Sequence, residues 1–312
     1  MPPKVSICIP TYNEPKYLGK LLETVFVQKF PDYEIVITDD TQDDSIKNIA
    51  NQYGNKKLRY IKNETRLGSP ENWNEAVRHA KGEYIKIMHH DTWFIDDKSL
   101  GEYVNMLDQN PHCDFAFSAT LNEFSSINET KIHAADENQR TLLFDNPDVL
   151  FTGNFIGSPS AVIYRHSVKE GFDIKLQWLV DFDFYIRVLR NNRDFVFCSK
   201  PLIGETDANK NRVTNLCSNN KQIELSEYLH LFKKIHGKNE NLDLYAPVLR
   251  KLFIKYNIRS IKDLDCLGID RPEPQNYFKR LILISAFFGF KMATKSRIKK
   301  ILKAFIKFNQ RI

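Results

Sequence analysis

Cysteine is scarce and unpatterned: Cys8, Cys113, Cys198, Cys217 and Cys266 are scattered through 312 residues, odd in number and without a CxxC pair. Neither a disulfide framework nor a zinc site is built that way, and a reducing, cytoplasmic setting fits the usage. Long apolar runs are missing too. The strongest, LILISAFFGF at 281–290, has ten residues, where a bilayer span needs about twenty. The opening MPPKVSICIP lacks the charged start, long apolar core and small-residue cleavage site of a secretion signal, and is expected to form a first strand. No repeat or low-complexity stretch is visible.

Excess charge is absent from most of the chain. The formal net charge of +6 belongs to residues 281–312, which hold Lys291, Lys295, Arg297, Lys299, Lys300, Lys303, Lys307 and Arg311 and no acid. The remainder carries 37 basic against 39 acidic residues. A basic footprint spread over the fold, which nucleic-acid binding requires, is therefore lacking, and no nucleic-acid partner is expected.

What is present is the composition of a folded protein, 42% hydrophobic and 27% charged. The first hundred residues alternate regularly. VSICIP (5–10), YEIVIT (33–38), KLRYIK (57–62) and YIKIMH (84–89) read as strands, separated by helical segments near 15–28, 43–53 and 70–81. That spacing suits right-handed βαβ crossovers and predicts an α/β fold with a Rossmann-like, mostly parallel central sheet flanked by helices. Each strand runs into a polar cluster, PTYNEP, DDTQDD, NETRLGS and HHDT in turn. In open parallel sheets ligands bind at the carboxyl ends of the strands, so the four clusters are expected to converge on one edge.

From about residue 114 the rhythm becomes mixed, with strands at 115–124, 160–165 and 194–203, a helix at 178–191 and a polar loop GETDANKNRVTN. After about 220 the pattern is helical, with a break around RPEP at 271–274. The expected organisation is a domain over 1–220, with a nucleotide-binding half to about 112 and an acceptor-binding half from 113, followed by a helical C-terminal extension over 221–312.

These motifs, in this order, resemble the nucleotide-sugar-dependent inverting glycosyltransferases of family 2, which have the GT-A fold. VSICIPTYNE resembles the family's opening strand and loop, and ITDDTQDDS its acidic second-strand turn. NETRLGSPENWNEAVRHAKGEYIKIMHHD resembles its third-to-fourth-strand run, and WLVDFDFYIRVL the helix bearing the catalytic base. The resemblance implies that Pro10, Thr11, Tyr12, Asn13 and Glu14 lie against the nucleotide and that Asp40 reads a pyrimidine edge. Asp39 would be its more structural neighbour. Arg66 and Gly68 are expected near the phosphates, Asn74 in support behind them, and Arg212 on a loop over the donor.

The family normally places Asp-x-Asp after the fourth strand, where the acids hold a divalent cation on the diphosphate and offset leaving-group charge. Here His89 replaces the first acid and Asp91 keeps the last. Asp91 is the expected main metal ligand, with His89 as a direct or water-mediated one. Histidine suits manganese better than magnesium, so Mn2+ is expected to be favoured over Mg2+. His90 is assigned to the nucleotide site, although strand alternation predicts that it points away from whatever His89 faces. Asp181 matches the base that deprotonates the acceptor hydroxyl. Asp183, about 200° further round a helix, cannot face the same cleft.

The implied activity is metal-dependent transfer of a sugar from a nucleoside-diphosphate donor, UDP-linked, to a hydroxyl of a glycan or lipid-linked oligosaccharide in surface polysaccharide synthesis. A nucleotidyltransferase would need a glycine- and lysine-rich loop after the first strand, which PTYNEPKYLG does not supply. A non-catalytic glycan-binding or scaffolding relative at the membrane is the alternative left open by the missing first acid. In the tail, Ile298, Leu302, Phe305 and Ile312, with Ile301 and Phe308, follow helical spacing, while Lys295, Lys299, Lys303, Lys307 and Arg311 recur every four residues. Such a helix either docks on an anionic membrane, at the inner face of the plasma membrane, or packs its apolar stripe on the enzyme.

Overall fold

The computed structural model describes residues 1–54, 56–125, 127–209, 212–236, 242–270 and 272–288. The chain divides into two compact units, Met1–Leu216 and Cys217–Ile312. The first runs β1 (Val5–Thr11), α1 (Pro15–Phe26), β2 (Tyr33–Asp39), α2 (Ser45–Tyr53), β3 (Leu58–Lys62), α3 (Ser69–His79), β4 (Tyr84–Ile87), β5 (Thr92–Phe94) and α4 (Ser99–Asp108). It continues with β6 (Phe115–Phe124), β7 (Glu129–His133), α5 (Glu137–Asp145), β8 (Val162–Arg165), α6 (Val180–Asn191), β9 (Phe195–Thr206) and α7 (Val213–Cys217), whose last residue opens the second unit.

Among the described residues, nine strands form one sheet in the order β3-β2-β1-β4-β8-β6-β9-β5, with β7 paired on β6. The first four are parallel, joined by α1, α2 and α3, and are buried along β1 and β2 because helices cover both faces. α1 buries Leu18, Leu21, Leu22 and Val25, the stripe that helical periodicity predicts, against Ile7, Ile9 and Ile35 of the sheet. Direction reverses at β8, which runs antiparallel to both β4 and β6, while β6 and β9 are parallel again. Strand order also switches on either side of β1, and the crevice between the carboxyl ends of β1 and β4 is where such sheets receive ligands.

Two buried polar features brace this half. Ser6 donates to Glu34 at 2.6 Å and accepts from Gly82 N at 2.7 Å, while Arg59 pairs with Glu34 at 2.7 Å. Lys86 is wholly buried in β4; its amine donates to Ser160 O and Val162 O and lies 4.2 Å over the Tyr103 ring. Burial holds that amine well below the ordinary lysine range.

The second unit contains α8 (Lys221–Ile235), α9 (Ala246–Lys255), α10 (Ile261–Asp265) and a helical stretch over 275–288. Its core gathers Phe232, Tyr245, Phe253 and Phe278. Among the described residues no helix is long and apolar enough to cross a membrane. Of the basic tail, residues 289–312 lie outside the described residues.

Candidate active site

Loops at the carboxyl edge of the sheet enclose a cavity of about 460 Å³. Pro10, Thr11, Tyr12, Asn13 and Glu14 enter it from the end of β1. Asn13 and Glu14 adopt left-handed φ of 58° and 61°, turning the chain sharply before Pro15 opens α1. Asp40 leaves β2 with both oxygens engaged: Oδ1 accepts from Asn63 Nδ2 at 2.8 Å and Leu67 N at 3.0 Å, and Oδ2 from Gly68 N at 2.9 Å. It thereby shapes the loop that carries Arg66. Gly68, at φ +85°, supplies the backbone this turn needs and itself lines the cavity.

Asp39 is off the lining. It is fully buried and braces the strands, accepting from Thr11 Oγ1 at 3.2 Å, Thr41 N at 2.8 Å and Tyr60 OH at 2.7 Å. Arg66 lies with its guanidinium 4.0 Å over the Tyr12 ring, which puts it beside the aromatic expected at the base. Asn74 also falls outside the lining, because it bridges α3 to Phe172, donating to its carbonyl at 2.9 Å and accepting from its N–H at 2.8 Å. Asn72, two residues earlier and on the opposite side of the helix, is the asparagine on the cavity. Its amide donates to Thr11 O at 3.0 Å.

β4 ends at Ile87, and the chain turns at once, with Thr92 N and Oγ1 both donating to His89 O at 3.0 and 2.7 Å. Strand alternation therefore does not apply beyond Ile87, and His89 and His90 both line the cavity, contrary to the opposed orientation expected from the sequence. The His89 Nε2 is buried without a hydrogen-bond partner, and its ring lies 4.7 Å from Trp73. Burial pushes this imidazole down to about 4, so it is neutral at physiological pH. His90 sits 6.4 Å from Tyr17 by ring centroids and 3.4 Å from Asn209 Nδ2.

Asp91 accepts from Asn209 Nδ2 at 3.3 Å and faces Arg212. Arg212 also reaches Glu205 at 3.5 Å, a buried carboxylate near the end of β9 that lines the cavity and whose proton affinity is raised by burial. Asp181 enters the cavity from the first turn of α6, accepting from Phe182 N at 3.0 Å and Asn154 Nδ2 at 2.7 Å. Burial lifts its carboxyl to about 7. Asp183 faces away, fully buried and paired with Arg187 at 2.7 Å.

Residues 6–172, more than half of the chain, match the family model described as Glycosyl transferase family 2. The chain belongs to that family. It is a transferase with the GT-A fold, and each comparison bears on a different aspect of it. A glycosyltransferase of Methanocaldococcus jannaschii that is itself uncharacterized is 29% identical over 252 residues, covering 76% of this chain and 81% of the relative. The poly(ribitol-phosphate) beta-N-acetylglucosaminyltransferase TarS of Staphylococcus aureus is 28% identical over 170 residues, 47% of this chain and 29% of its own length. The structure of TarS 1–349 with UDP-GlcNAc superposes with a TM-score of 0.59 at 18% identity, covering 95% of this chain and 92% of that one. The mannosyltransferase PcManGT of Pyrobaculum calidifontis, in complex with GDP-Man and Mn2+, gives 0.52 at 16% identity over 92% and 87% of the two chains.

Glu205, Asn72 and Asn154 escape sequence reasoning. Only Glu205 leaves a trace there, as an acid near the end of a strand that reaches the same edge.

Proposed function

We propose that this glycosyltransferase moves a sugar from a UDP-linked donor to a hydroxyl of a glycan or lipid-linked oligosaccharide, with inversion and with a divalent cation, Mn2+ in preference to Mg2+. The observation that carries the reading is that Asp181 and Asp91 face one cavity, one with a proton affinity tuned to neutrality and the other beside an unpartnered imidazole.

Asp40 reads the uracil N3–H, while Tyr12 and Arg66 offer it a flat face. Five carboxylates line the cavity, Glu14, Asp40, Asp91, Asp181 and Glu205, against the guanidiniums of Arg66 and Arg212. A diphosphate entering such a field needs added positive charge. Asp91 and the neutral His89 Nε2 form an oxygen and nitrogen donor pair fitted to manganese. Among the described residues no group of three or more His, Cys, Asp or Glu could hold an ion, so a cation held by Asp91 and His89 would need further ligands from the donor or from water. The cation, when bound, offsets charge on the departing phosphate oxygen. Arg212 adds a guanidinium on the same side. Asp181 takes the proton of the acceptor hydroxyl, and its single carboxylate supports one displacement and hence inversion.

Calorimetric titration with UDP, with and without Mn2+ and Mg2+, tests the binding half; tighter binding with Mn2+ is expected, and indifference to metal rejects the cation site. Screening UDP-sugars for slow hydrolysis, with Asp181→Asn as the control, tests the chemical half. The membrane role of the tail is a separate part of the proposal, supported by eight basic residues and no acid over 281–312. Because Leu281, Ile282 and Ser285 are buried, truncation after residue 288 is the suitable comparison. Equal sedimentation of both forms with anionic liposomes rejects that role.

A further inference from the structure

Residues 153–158 form a loop beside Asp181, and Asn154 within it has every hydrogen-bonding direction of its amide in use. Its Oδ1 accepts from Ile156 N and Gly157 N, both at 3.0 Å, and its Nδ2 donates to Gly157 O at 2.9 Å and Asp181 Oδ2 at 2.7 Å. Flipping the amide would set an oxygen against a carbonyl and a carboxylate, and an amino group against two N–H donors. The backbone therefore dictates which end meets Asp181. The loop is tied to the helix that carries the base: Tyr185 of α6, fully buried, donates to Gly157 O at 3.2 Å. Gly157 itself sits at φ +106°, a backbone that other residues rarely adopt.

We infer that Asn154 is a positioning residue of the active site, which fixes the rotamer of Asp181 and donates to its ionised form so that the remaining lone pairs are left for the acceptor hydroxyl. The inference rests on the reading of Asp181 as the base.

The electrostatics agree with the geometry. Burial raises the Asp181 carboxyl, while the N–H groups of Phe182 and of Asp181 itself, and then the Asn154 amide, pull the other way. The charged neighbours are few. Glu205, from β9, pushes the carboxyl up; His133, from β7, meets the Phe155 backbone within the loop, its imidazole lowered by burial; Tyr185 lies one turn on along α6; His89, Asp91 and Arg212 line the same cavity. The remaining charges on α6 are neutralised in the pairs Asp183–Arg187 and Asp148–Arg190, the latter anchoring the helix to the segment before the loop. Asn154 is thus a donor that mutation can remove without unbalancing a charge pair.

The test uses full-length, isotope-labelled protein and begins with the wild type. The side-chain amide resonance of Asn154, assigned by its loss in Asn154→Asp, is expected to shift with a midpoint near the about 7 of Asp181, and to stop shifting in Asp181→Asn. Asn154→Asp keeps an oxygen for Ile156 N and Gly157 N but sets a carboxylate against the base. In that variant the Asp181 carboxyl resonance should titrate about one unit or more higher. Hydrolysis of UDP-glucose or UDP-N-acetylglucosamine should fall about tenfold at neutral pH and recover toward alkaline pH, with little change in donor KM. An Asn154 resonance indifferent to pH, or an unmoved Asp181 midpoint, overturns the inference, as does an equal loss of rate at every pH. If instead Asp181→Asn keeps its rate, the base assignment fails while the resonance measurement still decides the contact.

Discussion

Arg212 Nε stands 3.8 Å from Oδ2 of Asp91, the carboxylate expected to grip the cation. A guanidinium so placed would compete with a cation for the same oxygen. Replacing Arg212 by Met should tighten Mn2+ binding in the absence of nucleotide. It should also weaken UDP binding in the presence of Mn2+ by about tenfold, through loss of a charge-assisted phosphate contact. Calorimetry in the two orders of addition reads both signs. Changes in the same direction would contradict the competition.

The carboxyl of Asp181 titrates near 7 in the folded chain and near 3.8 as an isolated side chain. Between these values the folded state keeps a proton that the unfolded state has released, so its contribution to stability is present at low pH and lost as pH rises through the window. Asp181→Asn removes the titration. Its melting temperature should therefore exceed that of the wild type above neutral pH, with the gain shrinking toward pH 4. Transfer or hydrolysis should fall by about 10²–10⁴ in the same variant. In the wild type, activity should decline on the acid side with a midpoint near the same value.

Asp40 accepts two backbone N–H groups and the Asn63 amide. In Asp40→Asn one acceptor oxygen becomes a donor, which must oppose either those N–H groups or the uracil N3–H. UDP affinity should drop about tenfold or more. The preference for UDP over CDP should shrink, because cytosine N3 carries no proton to lose a partner. Competition titration with the two nucleotides measures it.

Gly82 lies where a Cβ would stand 2.4 Å from Ser6 N and 2.7 Å from Val5 C, both backbone atoms of the β1 region. Backbone cannot give way as a flexible side chain does. Gly82→Ala should destabilise by about 2–4 kcal/mol, read as a fall in melting temperature or in denaturant midpoint. Unchanged stability would mean that the approach of this loop to β1 is looser than described.

The parallel half of the sheet is legible because its strands are β-branched, its helices intervene at even spacing, and each strand ends in a polar cluster. β1 to β4 and β6 fall where the pattern predicts, within two residues. β5 did not show, since three residues, Thr92–Phe94, become a strand only by pairing with Ile203–Glu205 more than a hundred positions later. β7 and α5 are mostly exposed and polar, and leave little periodicity to find. At the site, His90 was assigned an orientation by an alternation that had already ended at Ile87. Asn74 supports the site from behind, on Phe172, while Asn72, about 200° round the same helix, faces the cavity; the sequence holds nothing that says which side of α3 does so. Asn154 depends on a fold-back of the chain that nothing local announces.

The reversal of strand direction at β8 has one further consequence. Every parallel strand before it delivers its trailing loop to the cavity, whereas β8 brings in a leading one: Ser158 and Pro159 line the cavity before the strand begins, and the buried Ser160 accepts from His89 N with its Oγ at 2.9 Å. The two sets of loops meet across a short ladder, Tyr84 against Arg165 and Ile85 against Tyr164. The register of β1 to β4 is set by their own parallel ladders, so a change in the loops beyond that seam leaves it in place.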